Sequence, residues 1–230
     1  MITLPNECYY AIFHNLQNDY KSLFSCALVN RQCCRIIIPI LWSEPRHHFK
    51  NEKLIRVLFL TLNSEEQTLL IPFKINLPNH PKPLFEYTNY ITSINYYFYD
   101  GIRNWLTYKK RELEKVVICS LIAMFLRTSN SLKYLYLDDE IFCNQLVFEN
   151  LYENTTVTSI DLYHEYNINY GFKSKAIDAL VKILCKNSTL TSLKLISILL
   201  GIKGMEILLE ALYKNTVLRS LNLRFVVEVR

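Results

Sequence analysis

The chain runs to 230 residues, half of them hydrophobic and only four of them glycine, enough for a large core and too glycine-poor for a phosphate-cradling loop. Its formal charge of +5 at pH 7 is spread along the chain, with 14 basic and 10 acidic side chains in residues 1–115 and 12 and 11 in the remainder. A nucleic-acid binder gathers Lys and Arg on one face or helix, so that class is not expected here.

In chain order, Leu4-Pro5 opens a first helix, because proline is comfortable in the first turn. Cys8, Tyr9, Ile12, Phe13 and Leu16 follow at helical spacing as one apolar stripe. Asn18 and Asp19 are cap-type residues before a second apolar run holding Leu23, Phe24, Cys26, Ala27, Leu28 and Val29. Asn30 caps a third helix through Arg35, Ile36, Ile37 and Ile38, which is expected to break at Pro39 ahead of Trp42. Three helices this short do not hold a core of their own without a partner or adjoining structure.

The order Leu-Pro-x-Glu, Ile-Phe-x-x-Leu and Leu-x-x-Cys-Ala-Leu-Val-Asn-Arg is carried by Leu4, Pro5, Glu7, Ile12, Phe13, Leu16 and residues 23–31. It resembles the F-box, and residues 34–42 are similar to the tail of F-box proteins that carry leucine-rich repeats. The resemblance implies binding to a Skp-family adaptor and, through it, to a cullin. It places Leu4, Pro5, Ile12, Leu16, Leu28 and Val29 on or just beneath the adaptor-contacting surface. One departure is Cys33, which stands where the family usually has tryptophan. Losing a large aromatic weakens packing by roughly a few kcal/mol unless neighbours fill the gap. The competing reading of residues 1–45 is a helical cap on the rest of the chain, with no adaptor.

Residues 46–115 form a connecting region. The apolar run over 54–62 predicts a helix, and Pro72, Pro78, Pro81 and Pro83 mark a loop. Ile91-Thr-Ser-Ile94-Asn-Tyr96 approximates a phrase that recurs later, so a degenerate first repeat is expected there. Lys109, Lys110 and Arg111 read as a solvated helix start, interrupted by Glu112 and Glu114.

The apolar run at 116–126 is too short to span a bilayer and reads as a buried helix. Four copies of one phrase then follow, beginning at Leu132, Val157, Leu190 and Leu218, each preceded by an Asn at 130, 154, 187 or 215. A shift of 28 superposes Leu180, Leu184, Asn187, Leu193 and Leu195 on Leu208, Leu212, Asn215, Leu221 and Leu223. Ile177, Leu180, Val181 and Leu184 follow the apolar stripe of a helix, and Leu193 and Leu195 then alternate with polar residues as in a strand. The unit is helix, Asn-containing turn, strand, and such units stack because none buries its apolar face alone. Asn suits the turn by tolerating left-handed backbone and by satisfying local backbone groups with its amide. The helix near 145–152 is expected to be short, and residues 164–172 to bulge as a loop. No capping unit follows the last phrase, so that edge is expected to be covered by a partner or by further chain.

This pattern resembles leucine-rich repeats of the ribonuclease-inhibitor-like class over residues 116–230. The expected fold is an α/β solenoid, parallel strands inside and helices outside, preceded by a small three-helix F-box. Outward strand positions become the target-binding candidates: Tyr134, Tyr136, Ser159, Asp161, Lys194, Asn222 and Arg224.

Seven cysteines without paired spacing do not read as a disulfide framework, and the apolar settings of Cys8, Cys26, Cys119 and Cys185 suggest reduced thiols. A cytoplasmic or nuclear protein is expected. Asp138, Asp139 and Glu140 read as solvated charge after a strand, and no histidine or cysteine spacing fits a metal site. The sequence therefore predicts a non-enzymatic protein without cofactor, nucleic acid or membrane as partner. It would recruit an unknown protein target to a cullin-based ubiquitin ligase. The alternative is a repeat scaffold or inhibitor that works independently of ubiquitin.

Overall fold

A computed structural model describes residues 4–75, 77, 83–106, 111–164, 174–198 and 200–224. Its architecture is α/β, built around a five-stranded parallel sheet with the strands side by side in chain order. The strands are β1 (Ser93–Ile94), β2 (Tyr134–Asp138), β3 (Ser159–Tyr163), β4 (Ser192–Ile196) and β5 (Ser220–Arg224). Leu135, Ile160, Leu193 and Leu221 stand in one register row, and Leu137, Leu162, Leu195 and Leu223 in the next. Both rows are buried from β2 to β4 and become exposed on β5, the last described strand.

The chain opens with three helices: α1 (Asn6–Asn15), α2 (Tyr20–Ala27) and α3 (Arg31–Ser43). Each start has a local cause. Pro5 precedes α1, the Asp19 carboxylate accepts from the Ser22 amide, and the Asn30 side chain accepts from the Cys33 amide. The expected break at Pro39 does not occur, because α3 runs through it to Ser43. Ile37 and Ile40 on either side of Pro39 are buried, and that packing offsets the missing N–H bond. Phe13, Leu23, Ala27, Cys33, Ile37 and Ile40 make a small core separate from the main one.

Beyond them lie α4 (Glu52–Phe59), α5 (Ser64–Thr68), α6 (Tyr96–Trp105), α7 (Arg111–Thr128), α8 (Asp139–Phe142), α9 (Gln145–Glu153), α10 (Ser174–Lys186) and α11 (Gly201–Lys214). The residues read as a degenerate repeat do supply β1, whose Ser93 and Ile94 pair with Tyr134 and Leu135. Helix α7 buries every residue from Val117 to Leu126, and none of the described helices is long and apolar enough to cross a membrane. Helix α9 has nine residues against 13 and 14 in α10 and α11, as its short interval predicts. The loop expected at 164–172 falls, apart from His164, outside the described residues, as do Pro78, Pro81, Lys109 and Lys110.

The turns correct two expectations. Asn154, Asn187 and Asn215 each accept, through Oδ1, from the amides two and three residues on. Each also donates through Nδ2 to a carbonyl one unit back: Leu126, Asn154 and Leu184, at 3.1, 3.0 and 2.6 Å. Their backbone is not left-handed, since Asn154 has φ −70° and Asn215 φ −81°. What selects asparagine is the amide, which ties one unit to the next. Asn130 does not belong to this ladder. It is exposed, and the buried Ser129 holds the equivalent place three residues before Leu132, its hydroxyl donating to the Ile91 carbonyl at 3.0 Å.

Candidate binding surfaces

Two surfaces gather the candidate residues. The first is the outer side of the amino-terminal helices. Leu28 and Val29 sit in the turn between α2 and α3 and are 72% and 70% exposed. A bond from Gln32 Nε2 to Asn6 Oδ1 (2.8 Å) holds the start of α3 beside the start of α1, which brings Leu4 and Pro5 close to that turn. Leu4, Pro5 and Ile12 are exposed, whereas Leu16 is half-buried against the small core. Phe24 and Tyr10, absent from the sequence prediction, add to the exposed apolar area. Phe24 lies about 100° around α2 from the buried Leu23 and is 59% exposed. Leu4, Tyr10, Ile12, Phe24, Leu28 and Val29 are thus all exposed apolar side chains of one small unit. Cys33 is buried in the small core.

The second surface is the polar side of the sheet. Strand geometry puts Tyr134, Ser159, Ser192 and Ser220 in one register row, and Tyr136, Asp161, Lys194 and Asn222 in the next. The Asp161 carboxylate meets Lys194 Nζ at 3.2 Å. Burial, the nearby Asp161 charge and a hydrogen bond to it push the Tyr134 hydroxyl far above its ordinary range, so it stays a neutral donor. Tyr136 and Tyr163 stack with centroids 4.4 Å apart, and Tyr99 of α6 meets both edge-on. Tyr99 is buried, donates to the Tyr136 carbonyl at 3.0 Å, and is held neutral chiefly by that burial. Neither Tyr99 nor Tyr163 was among the predicted residues. Arg224 closes β5 and is exposed.

Several charged groups elsewhere are paired or bonded. Asp138 is a correction: it is buried, and Oδ1 accepts from the Glu140 and Ile141 amides, capping α8 instead of standing in solvent. Glu140 pairs with Lys115 and with Arg111. Asp138, Lys115 and Arg111 line a cleft of about 510 Å³ in which Arg103 also pairs with Glu114 at 2.7 Å. Among the described residues no group of His, Cys, Asp or Glu is arranged to hold a metal ion. All seven cysteines are free thiols. Burial and, second, the Asp138 charge push Cys119 up to about 12, which leaves it protonated and inert. Cys8 and Cys185 are exposed, contrary to their expected place in apolar stripes.

No family model matches the chain, and no curated protein matches it. Among solved structures, "Leiomodin-1 Actin-Binding Site 2 (ABS2)" aligns at 24% identity and a TM-score of 0.34, over 45% of this chain and 61% of that one. The match spans less than two thirds of that chain's length, and a superposition of this quality carries no argument about function.

Proposed function

We propose that the chain recruits substrates to a cullin-based ubiquitin ligase. In this reading residues 1–45 are an F-box that binds a Skp-family adaptor. The repeats form a leucine-rich solenoid that binds a protein target on its open sheet face. The chain catalyses nothing itself; holding a target beside a charged conjugating enzyme raises effective concentration and selects what is modified. The compartment that fits is cytoplasm or nucleus.

The observation that carries the reading is the exposed Leu28-Val29 turn on a helical unit with its own small core. Its position in the Leu-Val-Asn-Arg phrase is the one the resemblance assigns to adaptor contact. Parallel strands in chain order, tied by the asparagine ladder, support the repeat half of the reading.

Purified full-length chain is expected to pull down a Skp-family adaptor, and Leu28→Asp and Val29→Asp to weaken that binding at least about tenfold by placing a charge in an apolar contact. Both positions are exposed, so far-UV circular dichroism is expected to stay unchanged. A wild-type chain that fails to bind the adaptor overturns the ligase reading and leaves a repeat scaffold acting without ubiquitin. Variants that bind as the wild type does overturn the assigned surface.

A further inference from the structure

The sheet face holds little unspent negative charge. Asp161 is taken by Lys194 and by the Tyr134 hydroxyl, and Asp138 is turned into the α8 cap. Positive charge remains. Lys133 and Arg219 stand immediately before β2 and β5 at the leading edge of the sheet, and Arg224 ends β5. All three are exposed, and none of them has an ion-pair partner among the described residues.

Lys133 and Arg219 stand one residue ahead of the register row that holds Tyr134, Ser159, Ser192 and Ser220, which carries small hydroxyls on three adjacent strands. The row crosses the three strand intervals from β2 to β5, roughly 14 Å at about 4.8 Å per interval. An extended peptide rises about 3.4 Å per residue, so residues four apart cover the same distance and point to the same side.

We infer that the target segment is an extended acidic peptide that crosses the strands along the serine row. Carboxylates four residues apart meet Lys133 and Arg219 across the starts of β2 and β5. The serine hydroxyls bond the peptide's polar groups, and Tyr134 and Tyr136 supply rigid aromatic contact. This deepens the function proposed above and rests on its reading of the sheet face as the target surface.

The test is selection from a displayed library of random twelve-residue peptides on the full chain. Enriched peptides are expected to carry Asp or Glu at i and i+4. One such peptide, labelled for fluorescence anisotropy, is expected to bind at least about tenfold more tightly than its Asn/Gln counterpart, and to weaken as salt rises. The double variant Lys133→Glu, Arg219→Glu is expected to lose it while keeping the wild-type circular dichroism spectrum. Four results overturn the inference: an acid content no higher than the input library, affinity unchanged by the charge reversal, binding only after phosphorylation, or preference for a single-stranded oligonucleotide. The adaptor pull-down on the wild-type chain, set beside its peptide selection, separates the two claims. Adaptor binding kept with no acidic preference sinks this inference alone; acidic binding by a chain that never holds adaptor sinks the ligase reading alone.

Discussion

Asn187 shows how one side chain fixes the stacking of units. It is buried, its Oδ1 accepts from the Thr189 and Leu190 amides at 2.9 and 2.8 Å, and its Nδ2 donates to the Asn154 carbonyl at 3.0 Å. Alanine at this position leaves two amides and a carbonyl without partners in a region closed to water. Each such group costs about 1–3 kcal/mol, partly relieved by local rearrangement. Asn187→Ala is therefore expected to lower stability by roughly 2–4 kcal/mol, read as a shift in urea midpoint at unchanged slope. Asn130 supplies the internal control. It is exposed and lies one residue off the ladder, so Asn130→Ala is expected to fall within about 0.5 kcal/mol of wild type. Equal losses at the two positions would show that the ladder register, with Ser129 in the first place, is wrong.

At the scale of elements, α3 is the exception to local propensity. Proline in a helix interior removes one hydrogen bond and crowds the carbonyl four residues back, a cost of about 3 kcal/mol. The helix persists because Ile37 and Ile40 are buried on the small core and Asn30 fixes its start. Pro39→Ala is then expected to stabilise the amino-terminal helices by up to about 3 kcal/mol, checked by slower proteolysis of that unit in the full chain. Faster proteolysis would mean that the pyrrolidine ring is itself a packing contact worth more than the bond it removes. The same contrast explains what the sequence made legible. The alternation of Leu193 and Leu195 with polar residues marks a strand wherever it recurs, and Leu180 with Leu184 marks the helix before it, because burial repeats at the period of each element. Pro39 signals a stop because the signal is local, whereas the isoleucines that override it act through tertiary packing. Asp138 looks solvated in the sequence because its neighbours there are acidic and follow a strand. Its role as a cap follows from a four-residue helix that sequence periodicity is too short to reveal. On the sheet face, Tyr163 escaped notice because only the register with Asp138 brings it beside Tyr136.

For the whole molecule, the question is how the six-residue core of the first helices stays in place. A core that small does not stabilise a folded unit alone. Its support comes through the end of α3, which belongs to both halves: Leu41 packs on the small core and Trp42 on the large one. Trp42 stacks on Tyr87 with centroids 4.2 Å apart, and the Ser43 carbonyl accepts from both the amide and the hydroxyl of Thr92 at 2.8 Å. Tyr20 donates to the Glu44 carbonyl at 2.9 Å, which ties α2 to the same joint. The large core, by contrast, runs without interruption from Phe49 to Ala211 and contains neither Trp42 nor any residue of the first helices among its buried members. Trp42→Ala removes the stacked ring and is expected to cost about 3–5 kcal/mol, the range for truncating a large aromatic in a packed site. That loss falls on the joint. Hydrogen exchange in the full-length variant is expected to quicken across α1, α2 and α3, while the amides of β2, β3 and β4 keep wild-type protection. Adaptor binding, if residues 1–45 carry it, weakens in step because the Leu28-Val29 turn loses its support. Exchange that quickens equally in the strands would show one cooperative unit, and the picture of a small core held in place by its docking on a larger one would have to be given up.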